Sequence, residues 1–397
     1  MTSKTTLDVI LDRNKKFIHQ FDNYKHIDVN KITFNNKPIK DFLEKKYKWN
    51  QQDIANAYKK IDIFFNEYKI QNKIYPFIYR NIEDKNKIKK LFDWLFLDLD
   101  NRWNTEFNIY KFRRFNNLIR FINLEKISKL KTKWSIASEY TWIKELNKGS
   151  VLQDMFILYK NFNKDWTEKR ALEDTYTYIR TQLKRWSVLN PYLISILLNK
   201  YKWNNLLSLV HSWQSYQLWF YASEYKKYYC NDLNSLNDNI KLLDNLIQED
   251  YSDRKKWKDV IETNFNFAKR NIYNFYKDKN IDTVIVCPPY YDIEEYDNSS
   301  GEQSWYKDYE WFLKDLFKMI DNGIKITKKY FILIIANSKK YKLLDESLKY
   351  LENNYINNKK GKILDFIQIN KKSNINMSNY LNQKIENGEF AIVFMKD

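Results

Sequence analysis

Residues 282–292 constrain the fold most, because an apolar, β-branched run stops abruptly at two prolines and two tyrosines. The stretch reads Asp-Thr-Val-Ile-Val-Cys-Pro-Pro-Tyr-Tyr-Asp. A short run of this kind is typical of a buried strand, and proline cannot continue the hydrogen-bonding ladder of a sheet. The strand is therefore predicted to end before Pro288, which puts Tyr290 and Tyr291 just past its carboxyl end. Open α/β sheets bind their ligands at that edge.

From about residue 203 onward, strand-like runs alternate with helical patterns. Strands are predicted at 206–210, 227–232, 258–262, 281–286, 330–336, 362–369 and 389–396, and helices at 216–224, 236–248, 266–277, 305–320 and 341–353. This alternation predicts a doubly wound, mostly parallel sheet with helices on both faces. A polar loop joins the last two strands, so we expect them to pair antiparallel at one edge.

The first part of the chain has a different pattern, with apolar residues at helical spacing and few turn signals. Ile54, Tyr58 and Ile61 are one example of that spacing. We predict a basic, mostly α-helical domain over residues 1–175 and an α/β domain over residues 176–397.

The residues Cys287-Pro288-Pro289-Tyr290 resemble motif IV of amino-methyltransferases, in which Asp, Asn or Ser precedes two prolines and an aromatic residue. Cys287 departs from that pattern at its first position. An aromatic and acidic tail continues the resemblance through Tyr291, Asp292, Glu294, Tyr296, Gln303, Ser304 and Trp311. The resemblance implies a Rossmann-like class I methyltransferase fold, with a seven-stranded sheet, beside the N-terminal helical domain.

The same resemblance implies methylation of an exocyclic amine of a nucleic-acid base, adenine in preference to cytosine, with S-adenosylmethionine as the donor. In that family the first side chain of the motif and the carbonyl that follows accept hydrogen bonds from the amine. The aromatic ring stacks on a base taken out of the helix. These roles fall here on Cys287, on the carbonyl of Pro288 and on Tyr290, while Pro289 helps to stiffen the backbone.

In the resembling enzymes the donor binds at a glycine-bearing loop after the first strand of the sheet. The corresponding loop here is 211–215, where His211 and Ser212 are the candidate cofactor residues. The loop contains no glycine, and none occurs between Gly149 and Gly301. This departure favours a second hypothesis, in which the chain is an inactive pseudo-methyltransferase that serves as a nucleic-acid-binding or scaffolding subunit.

Two acidic residues near strand ends complete the candidate cofactor site. Asp232 follows the second predicted strand, where the resembling enzymes hold the ribose hydroxyls of the donor. It also precedes a helical pattern, so a helix N-cap is an equal alternative. Glu262, which ends the third predicted strand, or Asn264 after it is expected to face the adenine ring of the donor.

The charge of the chain suits a polyanionic partner. The formal net charge is +18, from 68 Lys and Arg against 50 Asp and Glu, and 17% of the residues are aromatic. An AT-rich genome would enrich lysine without any selection for binding. Arg113 and Arg114 are candidate nucleic-acid contacts, together with Tyr291 and Asp292, although the arginines also suit the solvated side of an amphipathic helix.

The three histidines and two cysteines predict neither a zinc site nor a disulfide framework. No run approaches ~18 consecutive apolar residues, and the N-terminus lacks the apolar core of a signal peptide. We therefore expect no membrane partner and a reducing, intracellular location such as the cytoplasm, a viral factory or a virion. A protein partner or a second copy of the chain would fit the scaffolding hypothesis.

Overall fold

The computed structural model of the protein describes residues 4–19, 33–34, 37–38, 51–52, 84–101, 116–125, 131–132, 194, 197–198, 200–201, 204–233, 237–255, 258–291, 294–295, 306, 308–338, 340–368 and 389–397. The helices are α1 (Thr6–His19), α2 (Lys85–Asn101), α3 (Asn116–Ile122), α4 (Ser215–Ala222), α5 (Asn237–Asp250), α6 (Ser252–Lys255), α7 (Arg270–Tyr276), α8 (Tyr309–Ile326) and α9 (Leu343–Leu351). A 3-10 turn precedes α4 at Ser212–Gln214, and a π-helical turn follows α9 at Glu352–Ile356.

Two short strand pairs accompany the main sheet. β1 (Thr33–Phe34) pairs with β2 (Lys37–Pro38), and β3 (Lys131–Thr132) pairs with β8 (Glu294–Glu295). The second pair joins a segment of the predicted helical domain to the tail that follows Tyr291.

The main sheet has seven strands: β4 (Asn205–Ser208), β5 (Lys227–Asn231), β6 (Asp259–Thr263), β7 (Thr283–Val286), β9 (Tyr330–Ala336), β10 (Gly361–Gln368) and β11 (Glu389–Lys396). Their spatial order is β10-β11-β9-β7-β4-β5-β6. Every neighbouring pair is parallel except those of β11, which runs antiparallel to both β9 and β10. This is the strand order of the class I methyltransferase fold, so the predicted fold and the predicted antiparallel edge pair are confirmed.

The order also locates the switch point of the sheet. From β4 the chain adds β5 and then β6 on one side, and it returns to add β7 on the other side of β4. Loops that leave β4 and β7 therefore diverge to opposite faces at the carboxyl edge. In doubly wound sheets the crevice between such loops is where ligands bind.

Each face of the sheet is covered by its own hydrophobic layer. One layer contains Leu206 and Tyr228 from the sheet and Trp219 from α4, and buried residues of α1, α2 and α3 belong to it. The other contains Val284 and Val286 and is closed by α7, α8 and α9. Because both faces are covered, the central strands are continuous apolar runs rather than alternating ones.

The described N-terminal helices are attached to the α/β part by polar contacts as well as by packing. The backbone N–H of Thr6 donates to the Glu249 carboxylate at 2.7 Å, and the Thr6 hydroxyl donates to the same carboxylate at 2.5 Å. Glu249 lies near the end of α5, so α1 begins against the last turn of that helix. The division at residues 1–175 and 176–397 stays a prediction. Among the described helices, none is long and apolar enough to span a lipid bilayer.

Gly361 begins β10 in a backbone conformation, φ 152°, that L-residues rarely adopt. A β-carbon at this position would collide with the ring of Phe394 and would lie 2.5 Å from the carbonyl oxygen of Met395. We expect Gly361→Ala to lower the free energy of unfolding by about 2 kcal/mol, through strain and overpacking together. Urea denaturation measures this change. Lys360→Ala, at the exposed neighbouring position, is the control, and equal effects of both variants would contradict the prediction.

Candidate active site

The carboxyl ends of β4, β5 and β6 are tied together by one buried side chain, Asn231. Its Nδ2 donates to the carbonyl oxygens of Leu209 at 3.0 Å and Phe265 at 2.9 Å. Its Oδ1 accepts from the backbone N–H of Phe265 at 2.9 Å and from the Thr263 hydroxyl at 3.1 Å. Asn231 thus sets the separation of three loops at this edge. Sequence reasoning did not select it, because a single Asn at a strand end resembles any turn residue.

The loop after β4 bends sharply before α4 begins. Trp213 and Gln214 have φ values of 55° and 64°, both in the left-handed region. That region costs a non-glycine residue about 1–2 kcal/mol, and glycine avoids the cost. The loop therefore makes its turn at the position where the resembling enzymes use glycine, but it makes it with two larger residues. Other contacts must offset the strain.

A chain of amide hydrogen bonds supplies such contacts. Nδ2 of Asn123, at the end of α3, donates to the Trp213 carbonyl at 3.3 Å and also to Oε1 of Gln214. Its Oδ1 accepts from Nδ2 of Asn239 at 2.7 Å, and Oδ1 of Asn239 accepts from Arg13 at 2.7 Å. The N-terminal helices α1 and α3 therefore hold the left-handed turn in place. No sequence signal pointed to this network, since its members are far apart in the chain.

His211 and Asp232 lie together beside that turn. The backbone N–H of His211 donates to Oδ2 of Asp232 at 3.2 Å, and Nδ1 of His211 is hydrogen-bonded to the Tyr228 hydroxyl at 2.7 Å. The imidazole is fully buried, and burial lowers the pKa of His211 to about 3. His211 is therefore neutral in the folded protein near pH 7. Its Nε2 is buried and has no hydrogen-bond partner among the described residues.

The remaining predicted cofactor residues have the following positions. Asp232 is partly exposed, and the helix after it is described from Asn237 onward, so its two predicted roles, ribose binding and helix N-cap, stay predictions. Glu262 lies within β6 opposite Cys230, because the strand continues to Thr263. Ser212 begins the 3-10 turn between β4 and α4.

Cys287, Pro288, Pro289 and Tyr290 follow β7 directly and lie at the switch point of the sheet. The Tyr290 hydroxyl donates to Oε1 of Glu389 at 3.0 Å, and Sγ of Cys287 lies 3.9 Å from the same oxygen. Burial raises the pKa of the Glu389 carboxyl above its usual value, and the hydrogen bonds from Tyr290 and Cys287 oppose that rise.

Glu389 was not among the residues selected from the sequence. It is the first residue of β11, opposite Ala336 at the carboxyl end of β9. Because β11 runs antiparallel, its first residue lies at the same edge as the carboxyl ends of the parallel strands. The predicted antiparallel edge pair contained this information, since an acidic residue at the start of such a strand must lie beside the ligand edge.

Tyr291 contacts other aromatic rings of the protein. Its ring centroid lies 4.8 Å from that of Tyr341, 5.3 Å from that of Phe312 and 5.5 Å from that of Tyr309. This cluster packs the start of the tail against α8. The other predicted nucleic-acid contacts, Asp292, Arg113 and Arg114, lie outside the described residues.

The edge offers polar groups that suit parts of S-adenosylmethionine. The turn at Trp213 and Gln214 bends the chain between β4 and α4, and the Asp232 carboxylate beside it has acceptor capacity for hydroxyl groups. The buried Nε2 of His211 is a polar atom whose hydrogen bond a ligand can complete. The residues present therefore fit the donor. Within the described ranges, no group of three His, Cys, Asp or Glu side chains could hold a metal ion.

No protein-family model and no curated protein matches the chain. Among solved structures, TrmN from Thermus thermophilus is 10% identical over 53% of this chain and 50% of its own, with a TM-score of 0.30. Magnesium protoporphyrin IX methyltransferase from Synechocystis, with bound S-adenosylmethionine, is 12% identical over 65% of this chain and 96% of its own, with a TM-score of 0.29. A Thermotoga maritima O-methyltransferase is 10% identical over 55% and 69%, with a TM-score of 0.28.

The chain spans about half the length of TrmN. The Synechocystis and Thermotoga proteins are methyltransferases by name, and the likeness of all three structures to this chain concerns the fold alone. At TM-scores of 0.28 to 0.30 the alignments carry no argument about a site or a substrate. The strand order and the single antiparallel strand identify the chain as a class I methyltransferase fold.

Proposed function

We propose that the protein is an S-adenosylmethionine-dependent methyltransferase that acts on an exocyclic amine of a nucleic-acid base, adenine in preference to cytosine. The observation that carries the proposal is the position of Cys287–Tyr290, directly after β7 and beside the switch point of the sheet. A rigid Pro-Pro segment followed by an aromatic ring suits the capture of a flat base. The net charge of +18 supports a polyanionic substrate.

Each residue at the edge has a proposed part. S-adenosylmethionine supplies the methyl group when it is bound. Asp232 and His211 would hold its ribose and its other polar groups. The Pro288 carbonyl accepts a hydrogen bond from the target amine, and the Tyr290 ring stacks on the base. The contribution of the protein is mainly orientation, because methyl transfer to an amine requires the nitrogen to be aligned with the methyl carbon.

One observation favours the alternative function, an inactive scaffold that binds nucleic acid. The turn after β4 carries the large Trp213 where the resembling enzymes have glycine. Calorimetric titration of the purified protein with S-adenosylmethionine separates the two functions. Saturable binding supports the enzyme, and transfer of a radiolabelled methyl group to DNA or RNA then identifies the substrate. Absence of binding at high micromolar donor, with salt-dependent binding to nucleic acid retained, supports the scaffold.

Tyr290→Ala is expected to slow methyl transfer about 5- to 150-fold while it leaves donor affinity within about threefold of the wild-type value. The ring stacks on the base but makes no contact with the donor in this proposal, and base–aromatic stacking contributes about 1–3 kcal/mol. Radiolabel incorporation and calorimetry measure the two effects. Tyr273→Ala, on α7, removes a partly buried ring elsewhere and is the matched control. Full activity of Tyr290→Ala would exclude the stacking role.

A further inference from the structure

We infer that Glu389 supplies the carboxylate that motif IV lacks in this chain, and that it accepts the hydrogen bond and the departing proton of the target amine. This inference rests on the proposed function. It adds a catalytic residue from β11, a strand that the motif itself does not include.

The first argument is position. Glu389 Oε1 lies 3.0 Å from the Tyr290 hydroxyl and 3.9 Å from Sγ of Cys287. The carboxylate therefore lies against the first and the last residues of the four-residue motif. It reaches this position from 99 residues away, because β11 is antiparallel and begins at the carboxyl edge of the sheet.

The second argument is chemical need. The resembling motif has Asp, Asn or Ser at its first position, and each of these presents an oxygen acceptor to the amine. Cys287 presents a thiol, which is a weak acceptor. An ionised carboxylate has about four lone-pair sites, so Glu389 can accept from Tyr290 and still accept from an amine. The acceptor is therefore supplied by β11, which β9 separates from β7, and not by the first side chain of the motif.

The balance of the reaction requires such a group. A nitrogen–carbon bond forms while the carbon–sulfur bond of the sulfonium donor breaks, and the electron pair of the broken bond stays on sulfur. The nitrogen then carries a positive charge until it loses one proton. The Glu389 carboxylate takes that proton and becomes a neutral carboxyl group. No oxidant, metal or further reactant enters this balance.

The surroundings of Glu389 suit a base. Among the described residues, the titratable side chains that hydrogen-bond to the Glu389 carboxylate are Tyr290 and Cys287, both on the segment after β7. Burial makes the carboxylate more basic than an exposed one, which strengthens it as a proton acceptor. The Tyr290 hydroxyl holds Oε1 in place, and its hydrogen bond favours the ionised form of the carboxylate.

The experiment compares single-turnover methyl transfer by wild-type protein, Glu389→Gln and the double variant Cys287→Asp/Glu389→Gln. Donor affinity and thermal stability are measured for each. Glu389→Gln is expected to lower the single-turnover rate constant about 100-fold with donor affinity unchanged, because general bases contribute that much or more. The double variant is expected to recover at least tenfold, because the motif then has its own carboxylate. Glu352→Gln, at an exposed turn far from the edge, is the matched control.

The pH profile provides an independent readout. Wild-type activity is expected to fall on the acid side as Glu389 becomes protonated. In Tyr290→Phe, which keeps the ring but removes the hydrogen bond, that acid limb is expected to move to higher pH, because the bond favours the ionised carboxylate. A residue that only supports the fold would not shift this limb.

The outcomes separate the two proposals. If the wild-type protein transfers methyl groups and the rate of Glu389→Gln is within threefold of the wild-type rate, the role of Glu389 is overturned and the proposed function stays intact. Glu389→Gln could also lose activity that the double variant does not restore, or lose stability together with activity. Either result would assign Glu389 to structural support of Tyr290 and would overturn its role as proton acceptor. Absence of transfer by the wild-type protein to any nucleic acid would overturn the proposed function, and this inference with it.

Discussion

Acidification from pH 7.5 to pH 4.5 is expected to lower the free energy of unfolding by about 3 kcal/mol through His211 alone. The folded-state pKa of His211 is lowered to about 3 by burial, whereas an unfolded histidine titrates near 6.5. Between these values the unfolded state binds more protons, so the stability contribution is complete above about pH 6.5 and is lost as pH falls. At pH 3 the loss is about 4 kcal/mol, and it approaches about 5 kcal/mol only at lower pH.

Urea denaturation at a series of pH values measures this slope. His211→Asn keeps a polar group near the Tyr228 hydroxyl but cannot take up a proton, so its stability is expected to vary less steeply with pH over the same window. The difference between the two slopes isolates the imidazole from the carboxylates that also titrate in acid. Parallel slopes for the two proteins would show that His211 is not buried in its neutral form.

Asn231→Ala is expected to lower the free energy of unfolding by about 3 kcal/mol, because four hydrogen bonds at a buried site lose their partner. The carbonyl of Leu209 and the backbone groups of Phe265 are then left unsatisfied near the sheet. The loop after β4 also loses its anchor, so donor affinity is expected to fall together with stability.

Asn264→Ala is the matched control for that variant. Asn264 is exposed and its Nδ2 donates to the carbonyl oxygen of Asp232 at 3.1 Å, so its loss is expected to cost about 1 kcal/mol or less. Chemical denaturation compares the two variants, and calorimetry follows donor binding. Equal destabilisation by both would mean that Asn231 does not hold the three loops together.

Local patterns predicted the sheet well where strands are long and apolar. The predicted strands 330–336 and 389–396 agree with β9 and β11 at both ends, because continuous burial on two faces leaves an uninterrupted apolar run. The ends of the short strands were predicted less accurately. The strand predicted at 206–210 ends at Ser208, since Leu209 and Val210 are apolar residues of the bend. Their hydrophobicity reflects packing beneath the loop.

The ends of helices were also predicted less accurately than their presence. The helix predicted at 305–320 is α8, which runs from Tyr309 to Ile326 and passes through Gly323. Glycine in a helix is unfavourable by local propensity, so the sequence predicted an earlier end. In the folded protein the missing β-carbon of Gly323 lets the Phe331 ring of β9 pack directly against the helix. Tertiary packing therefore overrides the local preference.

The sequence by itself determined the alternation of strands and helices and the strand end at which Cys287–Tyr290 lie, because period and proline placement act over a few residues. Only the tertiary structure decided what surrounds that edge. Glu389 lies 99 residues from Tyr290, and Asn123 lies 91 residues from the Gln214 that it holds. Such pairs produce no periodic pattern in the sequence, since each depends on how the strands and the N-terminal helices pack together. They form the environment of residues Cys287–Tyr290.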